Sequence, residues 1–211
     1  MIINLIVAGV GGQGSILASH IIAEAAIVDA AARKKAGDVS PYNVRVGETF
    51  GAAMRGGAVA SHVRFGDVLG PLVGAGQADL VLALEPLEGL RIGVEYAKAG
   101  GIAILNSDPF HPVDVKIGAA RYPSMADITK ALEELGSTVA VLDATKLALE
   151  AGTAKAMNVV MLGAAFASGL FPFGEQVMVE AIRGRVPQKF LDVNLKAFTL
   201  GNDAYLAARR A

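Results

Sequence analysis

The sequence contains no cysteine among its 211 residues. That excludes disulfides, thiolate zinc sites, cysteine-held iron–sulfur clusters and a cysteine nucleophile within this chain, so any redox centre must sit elsewhere. Charge is scarce as well: Asp, Glu, Lys and Arg make up 18% of the chain, against about 25% in typical soluble domains. The 19 basic residues nearly cancel the 20 acidic ones, leaving a formal charge of -1. With no dense basic run to meet a phosphate backbone, nucleic-acid binding as the main task is excluded. Apolar residues fill the place of the missing charge. With glycine counted and tyrosine left out they are about 63% of the chain, against roughly 45 to 50% on that counting. A chain this apolar and this nearly neutral does not stay open and solvated. The excess calls for a membrane, a sheet covered on both faces, or a partner subunit.

Two stretches without Asp, Glu, Lys or Arg test the membrane reading. Residues 1–23 lack the basic start of a secretory signal and break on Gly9, Gly11, Gly12 and Gly14, which reads as a strand meeting a glycine turn. Residues 156–174 approach a spanning length but carry Asn158, Ser168, three glycines and Pro172. Their helical part, ending near Leu170, is only about 24 Å long. The expectation is a soluble, cytoplasmic protein with no membrane contact.

Residues 2–8 form a short continuous apolar run, the pattern of a parallel strand buried on both faces. From Ser15 to about Lys35, apolar residues recur at helical spacing, with Arg33 and Lys34 near the end where the helix dipole favours cations. Residues 37–43 read as a loop. Val44 and Val46 suggest a short second strand, followed by a glycine-dense stretch at 47–57, a strand at 58–65 and a loop at 66–76. A strand at 79–84 leads to Pro86, placed where a helix starts, and that helix is expected to reach Ala99. Strands at 102–105 and 138–142 and helices at 125–135 and 144–150 continue the alternation. Beyond Gly152 only helices are expected, at 154–168, 174–183 and 187–210.

Strand and helix in alternation predict an α/β fold: a doubly wound, mostly parallel Rossmann-like sheet with a C-terminal helical extension. A single domain is expected, with an α/β core over 1–152 and the helical extension over 153–211 packed on it or on a neighbour. The carboxyl ends of the strands would face a common crevice.

Gly9, Gly11 and Gly14 fit G-x-G-x-x-G in the required strand-to-helix context. The helix start offers free N–H groups and a positive dipole end to a phosphate or carboxylate. The other reading is that these glycines only let helix and strand pack closely. A dinucleotide site also needs an acid about 20 residues on. Asp38 has the spacing but falls in a loop, and Glu48 has the place but comes late. The lysine of a nucleoside-triphosphate loop is missing. In the second glycine segment Glu48 and Thr49 end a strand, and Arg55 stands before Gly56 and Gly57. That arginine either clamps an anion at the crevice rim or braces the loop by pairing with Glu48.

Four segments then carry a resemblance. They are residues 6–14 (Ile-Val-Ala-Gly-Val-Gly-Gly-Gln-Gly), Glu48-Thr-Phe-Gly with Met54-Arg-Gly-Gly57, Ser61-His-Val-Arg-Phe-Gly66, and 78–91 (Ala-Asp-Leu-Val-Leu-Ala-Leu-Glu-Pro-Leu-Glu-Gly-Leu-Arg). Together they resemble the gamma-type domain of 2-oxoacid:ferredoxin oxidoreductases, above all the small beta subunit of the indolepyruvate class, and the likeness continues through 158–163 and 194–201. The resemblance implies oxidative decarboxylation of a 2-oxoacid with coenzyme A, giving an acyl-CoA, carbon dioxide and reduced ferredoxin. It places thiamine diphosphate, its Mg ion and the iron–sulfur clusters on a large partner subunit, which agrees with the absence of cysteine here. It implies Gly9, Gly11, Gly12, Gln13 and Gly14 as a phosphate turn, and Glu48, Thr49, Arg55, Gly56 and Gly57 as residues facing the shared site. No catalytic acid or base, and no metal ligand, is assigned to this chain, which is expected to be inactive alone. Two alternatives stand beside it: a self-sufficient NAD-dependent dehydrogenase, and a regulatory module binding a nucleotide or acyl-CoA.

His20, His62 and His111 show no metal-ligand spacing and read as structural, with His62 the one nearest the Arg55 loop. Ser15 and Ser107 read as caps. Glu85, before Pro86, is a candidate to point into the crevice. The charge-free helix from Ala156 to Leu170 is the candidate for a face hidden against another subunit.

Overall fold

The computed structural model describes residues 2–38, 42–51 and 56–210. Six strands form one sheet in the order β2-β3-β1-β4-β5-β6: β1 (Ile3–Val10), β2 (Asn43–Phe50), β3 (Ala58–Gly66), β4 (Ala78–Ala83), β5 (Ala97–Asn106) and β6 (Thr138–Leu142). β1, β4, β5 and β6 run parallel, as continuous apolar runs covered on both faces should. The departure lies at the other side. β3 runs antiparallel between β1 and β2, so the crossover from β1 delivers β2 to the sheet edge and leaves a place that β3 then fills. The expected doubly wound, mostly parallel sheet is present, with this antiparallel edge added.

Strand alternation divides the core in two. Leu5 and Val7 of β1, with Leu80 and Leu82 of β4, face a thick layer of helices: α1 (Ser15–Lys35), α5 (Ala144–Ala151), α6 (Met157–Ala167), α7 (Glu175–Arg185) and α8 (Leu191–Ala208). Ile6, Val81 and Ala83 face α2 (Pro86–Tyr96) and α4 (Met125–Glu134), which bring Ile128 and Leu132. A single turn, α3 (Val113–Lys116), lies in the connection between β5 and α4. Helix α4 starts on a capping box in which the Ser124 hydroxyl accepts the Asp127 N–H and the Asp127 carboxylate reaches back to Ser124.

Two expectations are corrected here. The helix expected to reach Ala99 stops at Tyr96, because residues 97–106 form β5 and Ala97 pairs with Ala78; pairing overrides the helix preference of an alanine-rich stretch. The charge-free helix is no surface for a partner. Every residue from Met157 to Ala165 is buried within the chain itself, chiefly against α8. Its lack of charge is that of a central core helix. Among the described residues one helix, Ser15–Lys35, is long and apolar enough by length and composition to cross a membrane, and 44% of its apolar window is buried in this fold.

Candidate functional site

The glycine turn joins β1 to α1 at the carboxyl edge of the sheet. Gln13 closes it twice: its N–H donates to the Val10 carbonyl at 3.0 Å, and its side-chain Oε1 accepts the Val10 N–H at 2.8 Å. Gln13 thus braces the turn through its N–H and its Oε1. Gly9 sits beneath it, where a Cβ would come within 2.9 Å of Gln13 Oε1 and 3.1 Å of Leu84 Cβ. Gly14 caps α1 in the left-handed region at φ 86°, and its carbonyl accepts both the Ala18 N–H at 3.0 Å and the Asn158 Nδ2 at 3.3 Å. Ser15, expected as a cap, is instead the first helical residue and is buried. The first-turn N–H groups of Ser15, Ile16 and Leu17 have no intrahelical acceptor and lie at the positive end of a 21-residue helix.

The second glycine segment docks directly on the first. The Gly11 N–H donates to the Gly57 carbonyl at 2.8 Å, and the Gly56 N–H donates to the Gly11 carbonyl at 3.2 Å. These reciprocal bonds continue the β1–β3 ladder one step past Val10 and Ala58. The polar groups of Gly11 are used up by its neighbour, while Gly12, at φ 111° with open space around its Cα, is the exposed member of the turn. Arg55 lies outside the described residues.

Glu48 and Thr49 part company, because successive residues of a strand point to opposite faces. Glu48 meets His20 of α1, Oε1 to Nε2 at 3.0 Å. Thr49 lies on the α2 side, its hydroxyl donating to the Ala60 carbonyl at 3.4 Å, and with Phe50, Glu88 and Ile92 frames a cleft of about 260 Å³.

Glu85 is not open to the crevice. It is 1% exposed and serves as the N-cap of α2: Oε2 accepts the Glu88 N–H at 2.8 Å, while Oε1 accepts the Phe110 N–H at 3.2 Å and the Tyr122 hydroxyl. Burial, with that hydrogen bond, pushes the Tyr122 phenol well above its ordinary range. Glu88 is more apt for chemistry. Burial raises its carboxyl pKa, the guanidinium of Arg91 at 2.7 Å lowers it, the neighbouring Glu85 charge raises it, and the net direction is up.

His62 is a core residue. It is 1% exposed, its Nδ1 accepts the Val73 N–H at 3.2 Å, which puts the ring proton on Nε2, and it meets Tyr96 edge-on at 5.4 Å. Burial lowers its pKa; the Glu95 charge opposes that and the Arg64 charge adds to it. A histidine held neutral in the folded state costs stability once the unfolded chain begins to take up a proton, below about pH 6.5. Unfolding in urea between pH 7 and pH 5 should therefore show a steeper loss of stability in the wild type than in His62→Gln, which keeps an acceptor for Val73. Equal pH slopes would remove this role. Among the described residues no group of three or more His, Asp or Glu side chains is arranged to hold a metal ion.

With the geometry in place, the sequence pattern of the pyruvate ferredoxin/flavodoxin oxidoreductase family matches residues 4–204. The chain belongs to this family. It is 42% identical over 200 residues to the indolepyruvate oxidoreductase subunit IorB of Thermococcus kodakarensis, covering 94% of this chain and 93% of that one. Its likeness to the IorB subunit of Archaeoglobus fulgidus is 39% identity over 209 residues, covering 99% and 98%. Among solved structures, the gamma subunit of a keto/oxoacid ferredoxin oxidoreductase from Geobacter sulfurreducens superposes with a TM-score of 0.69 at 25% identity, over 98% of this chain and 99% of that one. The resemblance read from the four motifs is borne out at the level of family and gamma-type fold.

In this member of the pyruvate ferredoxin/flavodoxin oxidoreductase family, three participants escaped the sequence reading. Asn158, at the start of α6, holds the Gly14 carbonyl from 144 residues away, so only its place in a resembling segment hinted at it. His20 partners Glu48 across two elements, which no spacing rule reveals. Glu88 did carry a local signal: an acid before proline and another three residues later is the grammar of a capped helix start.

Proposed function

We propose that this chain is the small, cluster-free subunit of a ferredoxin-dependent oxidoreductase acting on aryl 2-oxoacids such as indolepyruvate. It works in the cytoplasm and only with a large subunit that carries thiamine diphosphate, Mg and the iron–sulfur clusters. The observation that carries this reading is the near-full-length likeness to IorB subunits at about 40% identity. The reaction is oxidative decarboxylation with coenzyme A to an acyl-CoA and carbon dioxide, the electrons passing to ferredoxin through the partner. This chain's part is to help form the site and to hold an anionic group of coenzyme A. Exposed Gly12 and the first-turn N–H groups of α1 supply the anion subsite, and Gly56 and Gly57 are hydrogen-bonded to the same turn at Gly11.

The dehydrogenase alternative fits the topology poorly. A dinucleotide ribose acid belongs at the end of the strand beside β1, but that neighbour is β3, and Glu48 sits on β2 one strand further out, about 10 Å from β1. Its carboxylate is also engaged by His20.

Co-expression with the candidate large subunit should yield a complex that survives gel filtration. Chains that elute separately would contradict the reading. Within that complex, Arg55→Ala should raise the KM for coenzyme A or the 2-oxoacid by roughly tenfold, as loss of a charge-assisted contact does; unchanged kinetics would remove Arg55 from the site.

A further inference from the structure

The connection from β5 to α4 lies at the carboxyl edge of the sheet, the same edge that carries the glycine turn. It is firmly anchored. The Asp108 carboxylate accepts the Thr145 hydroxyl at 3.0 Å, the Phe110 N–H donates to Glu85 Oε1 at 3.2 Å, and the Tyr122 hydroxyl donates to the same carboxylate. Between these anchors the backbone around α3 closes on itself: the Val115 and Lys116 N–H groups donate to the Pro112 carbonyl, and those of Ala119 and Ala120 to that of Asp114.

The apolar side chains of this segment add little to the core. No residue of α3 is buried; Val113 and Ile117, four positions apart and so on one helical face, are each 70% exposed, and Phe110 is 45% exposed. Single exposed apolar residues are ordinary on a protein surface, but a group of them on one fixed turn forms a patch, and exposed apolar patches rimmed by polar groups mark sites of association. Charge frames this one. The Lys116 ammonium lies over the Phe110 ring at 4.9 Å, Arg121 is exposed at the end of the segment, and neither cation has a carboxylate partner among the described residues. Asp114 is the one acid of the turn, so the rim is basic on balance.

We propose that Phe110, Val113 and Ile117 form the knob by which this chain seats on its large subunit, in an apolar hollow rimmed by carboxylates that meet Lys116 and Arg121. The inference rests on the proposed subunit reading and names the surface that the large subunit covers. Two observations favour that partner over a second copy. The patch shares its edge with the glycine turn, and Phe110 is bonded to Glu85, the cap of the helix that carries Glu88, so a partner seated there also borders the site to be shared. In addition, a two-fold contact would set the same basic rim against itself, whereas a surface of opposite charge complements it.

The test is calorimetric titration of the candidate large subunit with the full chain, together with gel filtration of the chain alone. Val113→Ser combined with Ile117→Ser should weaken the complex by at least about tenfold, and Lys116→Glu combined with Arg121→Glu severalfold. These side chains are exposed, so the variants should melt as the wild type does. Leu69→Ser, at an 88% exposed leucine between β3 and β4 on the opposite edge, is the control and should leave binding unchanged. Wild-type affinity in the Val113 and Ile117 double variant, or an equal loss in Leu69→Ser, would overturn the proposal and leave the subunit reading intact. A large subunit that fails to bind even the wild-type chain would overturn both. A chain that elutes alone as a dimer, and as a monomer in the double variant, would overturn the proposal by assigning the patch to a second copy.

Discussion

Gly163→Ala and Gly201→Ala are each expected to lower the stability of the fold severely. Helices α6 and α8 cross with backbone against backbone: a Cβ on Gly163 would stand 2.0 Å from the Phe198 carbonyl oxygen, and one on Gly201 would stand 1.8 Å from that of Val160. Neither obstacle is a side chain that can rotate away, so the helices must separate by more than about 1 Å, which loosens close packing along the whole contact. Overpacking of ordinary core sites costs about 1 to 3 kcal/mol. Here the loss should exceed about 3 kcal/mol, a large part of the roughly 5 to 15 kcal/mol that holds a domain together. Gly184→Ala is the control. It lies on an exposed face of α7 with nothing near its added methyl, and it should gain up to about 1 kcal/mol from helix propensity. Denaturation in urea separates the cases; wild-type midpoints for both core variants would refute the close crossing.

Gly14→Ala carries the second largest expected effect because two costs coincide there. The residue sits at φ 86°, where an L side chain is strained by about 1 to 2 kcal/mol. Its Cβ would also lie 2.5 Å from Asn158 Nδ2 and 3.1 Å from Asn158 Cγ. Gly12→Ala, at φ 111° with open space around it, isolates the strain without the clash. Stability should therefore fall further in Gly14→Ala than in Gly12→Ala. Asn158→Ala alone should cost about 1 kcal/mol for the lost hydrogen bond. In the Gly14→Ala background it should cost less or restore stability, giving a double-mutant coupling of at least about 1 kcal/mol. Simple additivity would show that the two residues do not touch.

The elements that could be read from sequence are those whose pattern is local. The buried strands β1 and β4 announce themselves as continuous apolar runs, α1 by its periodicity and basic end, and α2 by its proline at the first position. What pairing decides was not legible. Nothing in residues 43–66 says that β3 will lie beside β1 and push β2 to the edge, and Ala97 joins a strand only because Ala78 awaits it. The charge-free helix was ambiguous for the same reason: burial by a partner and burial by the chain's own α8 leave the same composition, and only the facing Gly163 and Gly201 distinguish them. At the candidate site, glycine spacing marked the first segment correctly as a strand-to-helix turn, whereas the start of the second glycine-dense segment, from Gly47 to Phe50, is the end of β2. Their mutual hydrogen bonds span some 45 residues and belong to the tertiary structure. Glu48 and Thr49, adjacent in sequence, illustrate the limit most clearly, since a strand sends one to His20 and the other to the far face.

The central claim is that this chain contributes to 2-oxoacid oxidation only as part of a complex with a thiamine- and cluster-bearing subunit. It is tested most directly by following ferredoxin reduction with indolepyruvate and coenzyme A for the chain alone, for the large subunit alone, and for the two together. The account predicts activity in the combined sample that is strictly dependent on both substrates, and none from this chain by itself. Ferredoxin reduction at the full rate by the large subunit alone, or NAD reduction by the isolated small chain, would contradict it.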